Sequence, residues 1–154
     1  MDFQAFIMHG CMTVCLALTN YPRPPLQQQG IEGIARKAIG NRMPSPKYHP
    51  APPAGTKTTI YVYSLTNQNQ VTAAGAAGLY SAVHTDLIRQ ADTDDSGHFR
   101  IQLPPGIYSV FTKKGQLFYA TRRDEKNNIA PVEVLPGKIT RVDCSVESDH
   151  AAVY

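Results

Sequence analysis

The chain has 154 residues, of which 42% are apolar and 18% charged, and its formal net charge is +3. A chain of this length buries roughly two-thirds of its unfolded surface, which is enough for a core of its own. This composition excludes a highly charged disordered chain and argues against a nucleic-acid-binding protein, which would carry a dense basic face. No apolar run approaches the roughly 20 residues that a membrane-spanning helix needs.

The prolines divide the chain, because eight of the twelve precede residue 55. We predict a signal segment at 1–19, a linker at 20–29, a folded unit at 30–148 and a tail at 149–154. The folded unit therefore carries most of the remaining apolar residues.

The first segment is apolar from Ala5 to Leu18 apart from His9 and Thr13. This length suits the apolar region of a secretory signal, although Asp2 stands where a basic residue is typical. We predict an exported protein that is periplasmic, associated with the outer membrane or secreted. The alternative is a buried N-terminal helix.

Three cysteines give two further expectations. Cys11 and Cys15 lie inside the apolar segment and are candidates for a lipid anchor, the one membrane contact that we expect. Removal of that segment would leave Cys144 as the single thiol, which precludes an intramolecular disulfide. Cys144 alternates with apolar residues, so we interpret it as a buried small hydrophobe. The scattered histidines show no zinc-ligand spacing, and we expect no cofactor or metal.

The folded unit is predicted to be β-structure throughout. His98 to Leu103 alternates with period two, which places Phe99, Ile101 and Leu103 inward and His98 outward. Similar short segments separated by turn residues predict strands at 30–36, 58–65, 87–91, 98–103, 107–112, 131–135 and 139–146. The fold class is therefore all-β: an antiparallel seven-stranded sandwich of transthyretin-like or immunoglobulin-like type, with a proline-rich N-terminal extension.

Two segments interrupt this rhythm. Asn41 to Gly55 is proline-rich and cannot supply a central strand. Asn67 to Asp86 contains a run of small residues with two glycines, which disfavours a helix, so we predict a loop there.

Four turn-and-strand motifs occur in a characteristic order along the folded unit. They are Gly33 through Met43-Pro44-Ser45, Thr93-Asp94-Asp95-Ser96-Gly97-His98-Phe99, Leu103 through Val110, and Pro131 through Gly137. Together they resemble the carboxypeptidase regulatory-like family over about residues 30–147. The resemblance implies a transthyretin-like β-sandwich, common in exported proteins of Bacteroidetes, that acts as a noncatalytic accessory domain.

Catalytic signatures are absent from the sequence. There is no Gly-x-Ser-x-Gly motif, and the chain ends in Ala-Ala-Val-Tyr rather than the Tyr-Arg-Gly-Ser of hydroxyisourate hydrolases, which share the transthyretin fold. We therefore predict that the protein is not an enzyme.

One acidic segment mimics the start of a calcium loop. Asp92, Asp94 and Ser96 precede Gly97, but Leu103 stands where a closing carboxylate would be needed. Asp and Ser also accept backbone hydrogen bonds in turns, and Gly97 tolerates a positive φ. We interpret the segment as a turn.

Two function classes remain open. The first is a structural or protein-interaction module of the bacterial cell envelope, and the second is a ligand-binding domain for carbohydrate or another ligand. The candidate ligand or partner surface comprises Tyr61, Tyr63, Phe118, Tyr119, Arg122 and Arg123. The charged cluster 122–126 has mixed signs, which is more typical of a solvated loop than of a grip on an acidic partner. The expected partner is an unknown envelope protein or a glycan, and no nucleic acid.

Overall fold

A computed structural model describes residues 28–38 and 53–146. These residues form eleven strands and one short 3₁₀ helix, which confirms the predicted all-β fold. The predicted signal segment, the first eight residues of the predicted linker, residues 39–52, which include most of the proline-rich stretch, and residues 147–154 with the predicted tail lie outside the described residues. The elements are β1 Gly30–Lys37, β2 Thr59–Ser64, the 3₁₀ helix Gln68–Gln70, β3 Val71–Ala73, β4 Leu79–Val83, β5 Leu87–Asp92, β6 His98–Gln102, β7 Gly106–Lys114, β8 Leu117–Tyr119, β9 Pro131–Val134, β10 Ile139–Arg141 and β11 Cys144–Val146.

The strands form two sheets. The seven-stranded sheet has the order β3-β4-β8-β7-β2-β5, with β9 also paired to β7. The four-stranded sheet has the order β10-β1-β11, with β6 also paired to β1. All pairs are antiparallel except those that β1 makes with β10 and β11, which are parallel.

The main core lies between the two sheets and makes the fold a β-sandwich. Alternation along each strand directs one set of apolar side chains into this layer. On β6, Phe99 and Ile101 are buried while His98 is exposed, as predicted. The other members are Ile31, Ala35, Ile60, Val62, Leu103, Tyr108, Val110, Val132, Val134, Val142 and Val146.

A second, smaller core covers the other face of the seven-stranded sheet. Phe111 of β7 is fully buried there, although its chain neighbours Val110 and Thr112 point into the sandwich. It packs with Tyr63, Tyr80, Ala120 and Ile129. A sandwich with an exposed outer face would leave Phe111 in water, so the segments that carry Tyr80, Ala120 and Ile129 extend the hydrophobic core beyond the two-sheet layer.

The prediction of a loop across 67–86 is wrong. The segment contains the 3₁₀ helix and the hairpin β3–β4, and β4 pairs with β8. Gly75 and Gly78 have φ values of 86° and 82°, so they supply the turn between the two strands. The glycines that disfavour a helix therefore allow the turn of a hairpin. Burial of Tyr80 in the second core anchors the second strand of this hairpin, β4.

The predicted strand at 139–146 is divided in two by its partner β1. β10 lies beside the first half of β1 and β11 beside the second, and between them the Val142 amide donates a 2.8 Å hydrogen bond to the Glu32 carbonyl. Gly33 is required here, because a Cβ at this position would lie 1.8 Å from the Val142 carbonyl oxygen.

Among the described residues, no helix is long and apolar enough to cross a membrane.

Candidate functional site

The acidic segment before β6 is a turn. One oxygen of the Asp94 carboxylate accepts hydrogen bonds from the Ser96 and His98 amides at 2.9 and 2.8 Å. Gly97 has φ 79°, which a glycine adopts without strain. The turn interpretation is confirmed, and no group of three or more potential metal-ligating residues occurs in the described part of the chain.

Three of the six candidate surface residues lie together. The rings of Tyr61 and Phe118 are 5.2 Å apart, and those of Tyr63 and Phe118 are 5.8 Å apart, both edge to face. Tyr63 is buried, while Tyr61 and Phe118 are half-buried. The Lys113 ammonium lies 5.6 Å from the centre of the Tyr61 ring, within cation–π distance.

These surroundings raise the pKa of the Tyr63 hydroxyl. Burial raises its pKa above the ordinary value, and the neighbouring Tyr61 raises it further. Tyr63 therefore stays neutral at physiological pH and contributes its ring to the aromatic contacts rather than a charge.

Two of the six candidates lie elsewhere. Tyr119 is buried, and its backbone carbonyl accepts a hydrogen bond from the Thr112 hydroxyl. Tyr119 and the exposed Arg122 line a small cavity of about 30 Å³ that Cys144 also borders. The structure thus separates Tyr119 and Arg122 from the aromatic group on the opposite face.

Arg123, the sixth candidate, is engaged within the molecule. Its guanidinium donates to the Gln68 side-chain oxygen at 3.0 Å and to the Tyr80 hydroxyl at 3.3 Å. The adjacent backbone is tied to the same region, since the Gln68 amide donates to the Asn127 carbonyl. Arg123 therefore fastens the 122–130 segment over the second core.

Asp124 shapes the tip of this segment. Its carboxylate accepts from the Lys126 amide and from both the backbone and the side-chain amide of Asn128, all at 2.8 to 2.9 Å. These bonds favour the charged form, and those from Asn128 contribute most to lowering its pKa. The charged loop is a folded turn with a fixed shape, and Glu125 and Lys126 remain exposed at its tip.

The charged loop forms one wall of an open groove of about 570 Å³. Leu65, Ile107 and Pro131 line the apolar side of the groove, and residues 123–126 line the charged side. Ile107 is 50% exposed and Leu65 is 36% exposed, so both are accessible from the groove.

The exposed apolar side chains share one end of the seven-stranded sheet. Leu65 follows β2, Leu87 and Ile88 begin β5, Ile107 begins β7, and Leu135 follows β9. The pairing register brings these strand ends together, because β5, β2, β7 and β9 are successive neighbours and run antiparallel. All five are between 36% and 50% exposed, and they are the large exposed apolar residues of the described ranges. We call this set the apolar end.

The apolar end could not be predicted from the sequence. Alternation along 58–65 places Leu65 on the same strand face as Tyr61 and Tyr63, but nothing in a single strand shows that this position is uncovered. Only the alignment of the strand ends shows that residues from 65 to 135 lie at one end of the sheet.

The described residues offer no activated thiol. Burial, and then the negative charge of Asp143, raise the pKa of Cys144 to about 12, while Arg122 lowers it to a smaller extent. Cys144 packs against the main core, as an apolar residue would, but it is half-buried and not fully buried as predicted. A thiol with this pKa is almost fully protonated at neutral pH and is a poor nucleophile.

The chain was also compared with known proteins. No protein-family model, curated protein or solved structure matches it.

Proposed function

We propose that this protein is a noncatalytic interaction module of the bacterial cell envelope, and that it docks a partner protein through the apolar end. The observation that carries the proposal is the convergence of five exposed large apolar side chains on one end of the sheet. Exposed apolar patches with a polar rim are typical of protein-interaction sites.

The rim has the properties of such a site. Glu125 and Lys126 are exposed at the tip of the loop that Asp124 and Arg123 hold in place. A preformed rim loses little conformational entropy when a partner binds, which favours affinity. The groove between Ile107 and this loop then accepts an apolar side chain of the partner.

The carbohydrate-binding alternative has weaker support. Sugars stack on the flat face of an aromatic ring, whereas Tyr61 and Phe118 meet at an interplanar angle of 90°. The Lys113 ammonium lies over the Tyr61 ring. This arrangement favours a protein partner over a glycan.

The envelope location rests on the sequence. The apolar segment at 5–18 and the resemblance to the carboxypeptidase regulatory-like family support export. Three of the motifs that carry the resemblance, near Thr93, Pro104 and Pro136, lie at turns between strands, which fits a β-sandwich of that type.

Photo-crosslinking in the source cells tests the proposal. A photoreactive amino acid in place of Ile107 is expected to give a discrete crosslinked protein in the envelope fraction. The same photoreactive amino acid in place of Arg100, which is exposed on the four-stranded sheet, is the matched control. Equal crosslinking at both positions, or none at Ile107, would reject docking through the apolar end.

Fractionation and sequencing of the mature N-terminus test export. Cleavage near Ala17 to Asn20 is expected for a secreted form, and an acylated Cys11 or Cys15 for an anchored one. An intact Met1 in the cytoplasm would contradict both.

A further inference from the structure

The strand β5 is an open edge of the seven-stranded sheet. Among the described residues it pairs with β2 alone, and five of its six side chains are exposed. Edge strands in monomeric proteins are usually protected by proline, lysine or a covering segment. The sequence of β5, Leu-Ile-Arg-Gln-Ala-Asp, contains neither proline nor lysine and has no net charge. Its one irregularity, a register shift opposite Val62 and Tyr63, lies at Ile88, and the ladder from Arg89 to Asp92 is regular. Such an edge is suited to pairing with another strand.

The hydrogen-bond pattern shows which backbone groups face this edge. The Thr93 amide donates to the Thr58 carbonyl at 2.9 Å, and Thr59 lies opposite Asp92. In an antiparallel ladder, this makes Thr59 and Asp92 a non-hydrogen-bonded pair. The pair two residues along, Tyr61 and Gln90, is of the same kind. The N–H and C=O groups of Gln90 and Asp92 therefore point away from β2, toward the open side.

We propose that two copies of this chain form a dimer by antiparallel pairing of their β5 strands about a two-fold axis at Ala91. In this register Gln90 of each copy lies opposite Asp92 of the other, so both outward-facing residues are paired. Two hydrogen-bonded pairs then contribute about four intermolecular backbone hydrogen bonds.

The side chains in this register are complementary. The Gln90 amide donates to the Asp92 carboxylate of the second copy, and the symmetry repeats this contact. One Asp92 oxygen already accepts from the Thr59 hydroxyl at 2.6 Å, which leaves the other oxygen for the second copy. The small Ala91 side chains, which pack against the main core of their own copies, lie side by side at the axis, where non-hydrogen-bonded pairs approach most closely.

Other symmetric registers are less favourable. An axis at Arg89 would place the two guanidinium groups opposite each other, which destabilises a strand pair. An axis at Gln90 would place Asp92 opposite Ile88 of the second copy. The side chains of β5 are therefore complementary to a second copy of the same strand, with the two-fold axis at Ala91.

Sedimentation velocity on the full chain tests the dimer. Edge pairing over a few residues buries less surface than a stable interface. We therefore expect a reversible dimer whose fraction rises as the protein concentration is raised from about 1 to about 500 µM. Gln90→Pro removes an outward N–H group without removing a bond to β2, and it is expected to weaken the dimer at least tenfold (about 1.4 kcal/mol). Gln90→Ala keeps the backbone donor and is expected to weaken it less. A monomeric wild type, or equal association of Gln90→Pro and wild type, would overturn the proposal.

A disulfide test does not depend on tolerance of proline. In a chain carrying Cys11→Ser and Cys15→Ser, Ala91→Cys is expected to form a covalent dimer under mild oxidation, because opposed non-hydrogen-bonded residues meet disulfide geometry. Arg89→Cys on the same strand is the control. Crosslinking of Arg89→Cys as fast as Ala91→Cys would contradict the proposed axis.

The dimer can be distinguished experimentally from docking at the apolar end, although Leu87 and Ile88 of that set also belong to β5. Ile107→Glu is expected to leave dimerisation unchanged and to prevent partner docking, whereas Gln90→Pro is expected to do the reverse. If Ile107→Glu abolished the dimer and Gln90→Pro did not, the copies would associate through the apolar end, and pairing at β5 would be rejected.

Discussion

Gly97 and Ala35 join the acidic turn to the four-stranded sheet: the Ala35 amide donates a 2.8 Å hydrogen bond to the Gly97 carbonyl. Their backbones are so close that a Cβ on Gly97 would lie 2.4 Å from the Ala35 carbonyl oxygen. The turn is thus a packed contact between β1 and the start of β6.

Gly97→Ala is expected to destabilise the protein by more than about 2 kcal/mol, since it combines an unfavourable positive φ with a backbone clash. Gly115→Ala is the matched control, because Gly115 also has a positive φ but a Cβ there would meet nothing within 4 Å. The control is expected to cost about 1 kcal/mol. Urea unfolding measures both, and equal costs would show that the contact with Ala35 is unimportant.

Phe111→Ala is expected to destabilise by about 3–5 kcal/mol, because it empties a fully buried site in the second core. Phe118→Ala removes the same side chain from the same aromatic group at a half-buried position, so its cost should be clearly smaller. Similar losses of unfolding free energy in thermal or urea unfolding would show that Phe111 is not packed more tightly than Phe118.

The strand register predicts opposite results at adjacent positions of β6. Phe99→Ala is expected to cost about 3–5 kcal/mol, as for other buried aromatic side chains. His98→Ala, on the exposed face, is expected to stay within about 0.5 kcal/mol of the wild type. Comparable losses at both positions would contradict the described orientation of β6.

Cys144 is expected to react slowly with thiol reagents at pH 8. Its pKa is raised from 9.0 to about 12, so its thiolate is scarce in the folded protein. In a chain carrying Cys11→Ser and Cys15→Ser, labelling in native buffer should be at least about tenfold slower than in denaturant. Equal rates in the two conditions would show that the thiol is neither buried nor suppressed.

Asp124 should give the charged loop a defined acid dependence. Its pKa is lowered in the folded state, so its stabilising contribution is complete above the ordinary Asp value and is lost as pH falls through the lowered value. Hydrogen exchange at the Lys126 and Asn128 amides, measured relative to the intrinsic exchange rate at each pH, is expected to accelerate only in that acidic range. Asp124→Ala should accelerate it at neutral pH as well. Protection that survives this substitution would exclude the carboxylate as the loop's main support.

The fold class and most strand positions could be predicted from the sequence. The alternation at 98–103 identifies one buried face because a sandwich covers one side of each strand. The Asp94–Gly97 turn was equally predictable, since its hydrogen bonds are local. The 67–86 hairpin was not, because its glycines disfavour a helix locally while distant partners on β8 stabilise the strand.

The sequence by itself determined that this chain forms β-structure, where its local turns lie and which face of β6 is buried, because these depend on neighbouring residues. Only the tertiary structure decided that Phe111 is buried on the outer face, that the Arg123 guanidinium donates to the Tyr80 hydroxyl, and that Leu65, Ile107 and Leu135 lie at one end of the sheet. It also decided that Gln90 faces an open edge. These properties depend on which strands become neighbours, and residues distant in the chain fix that pairing.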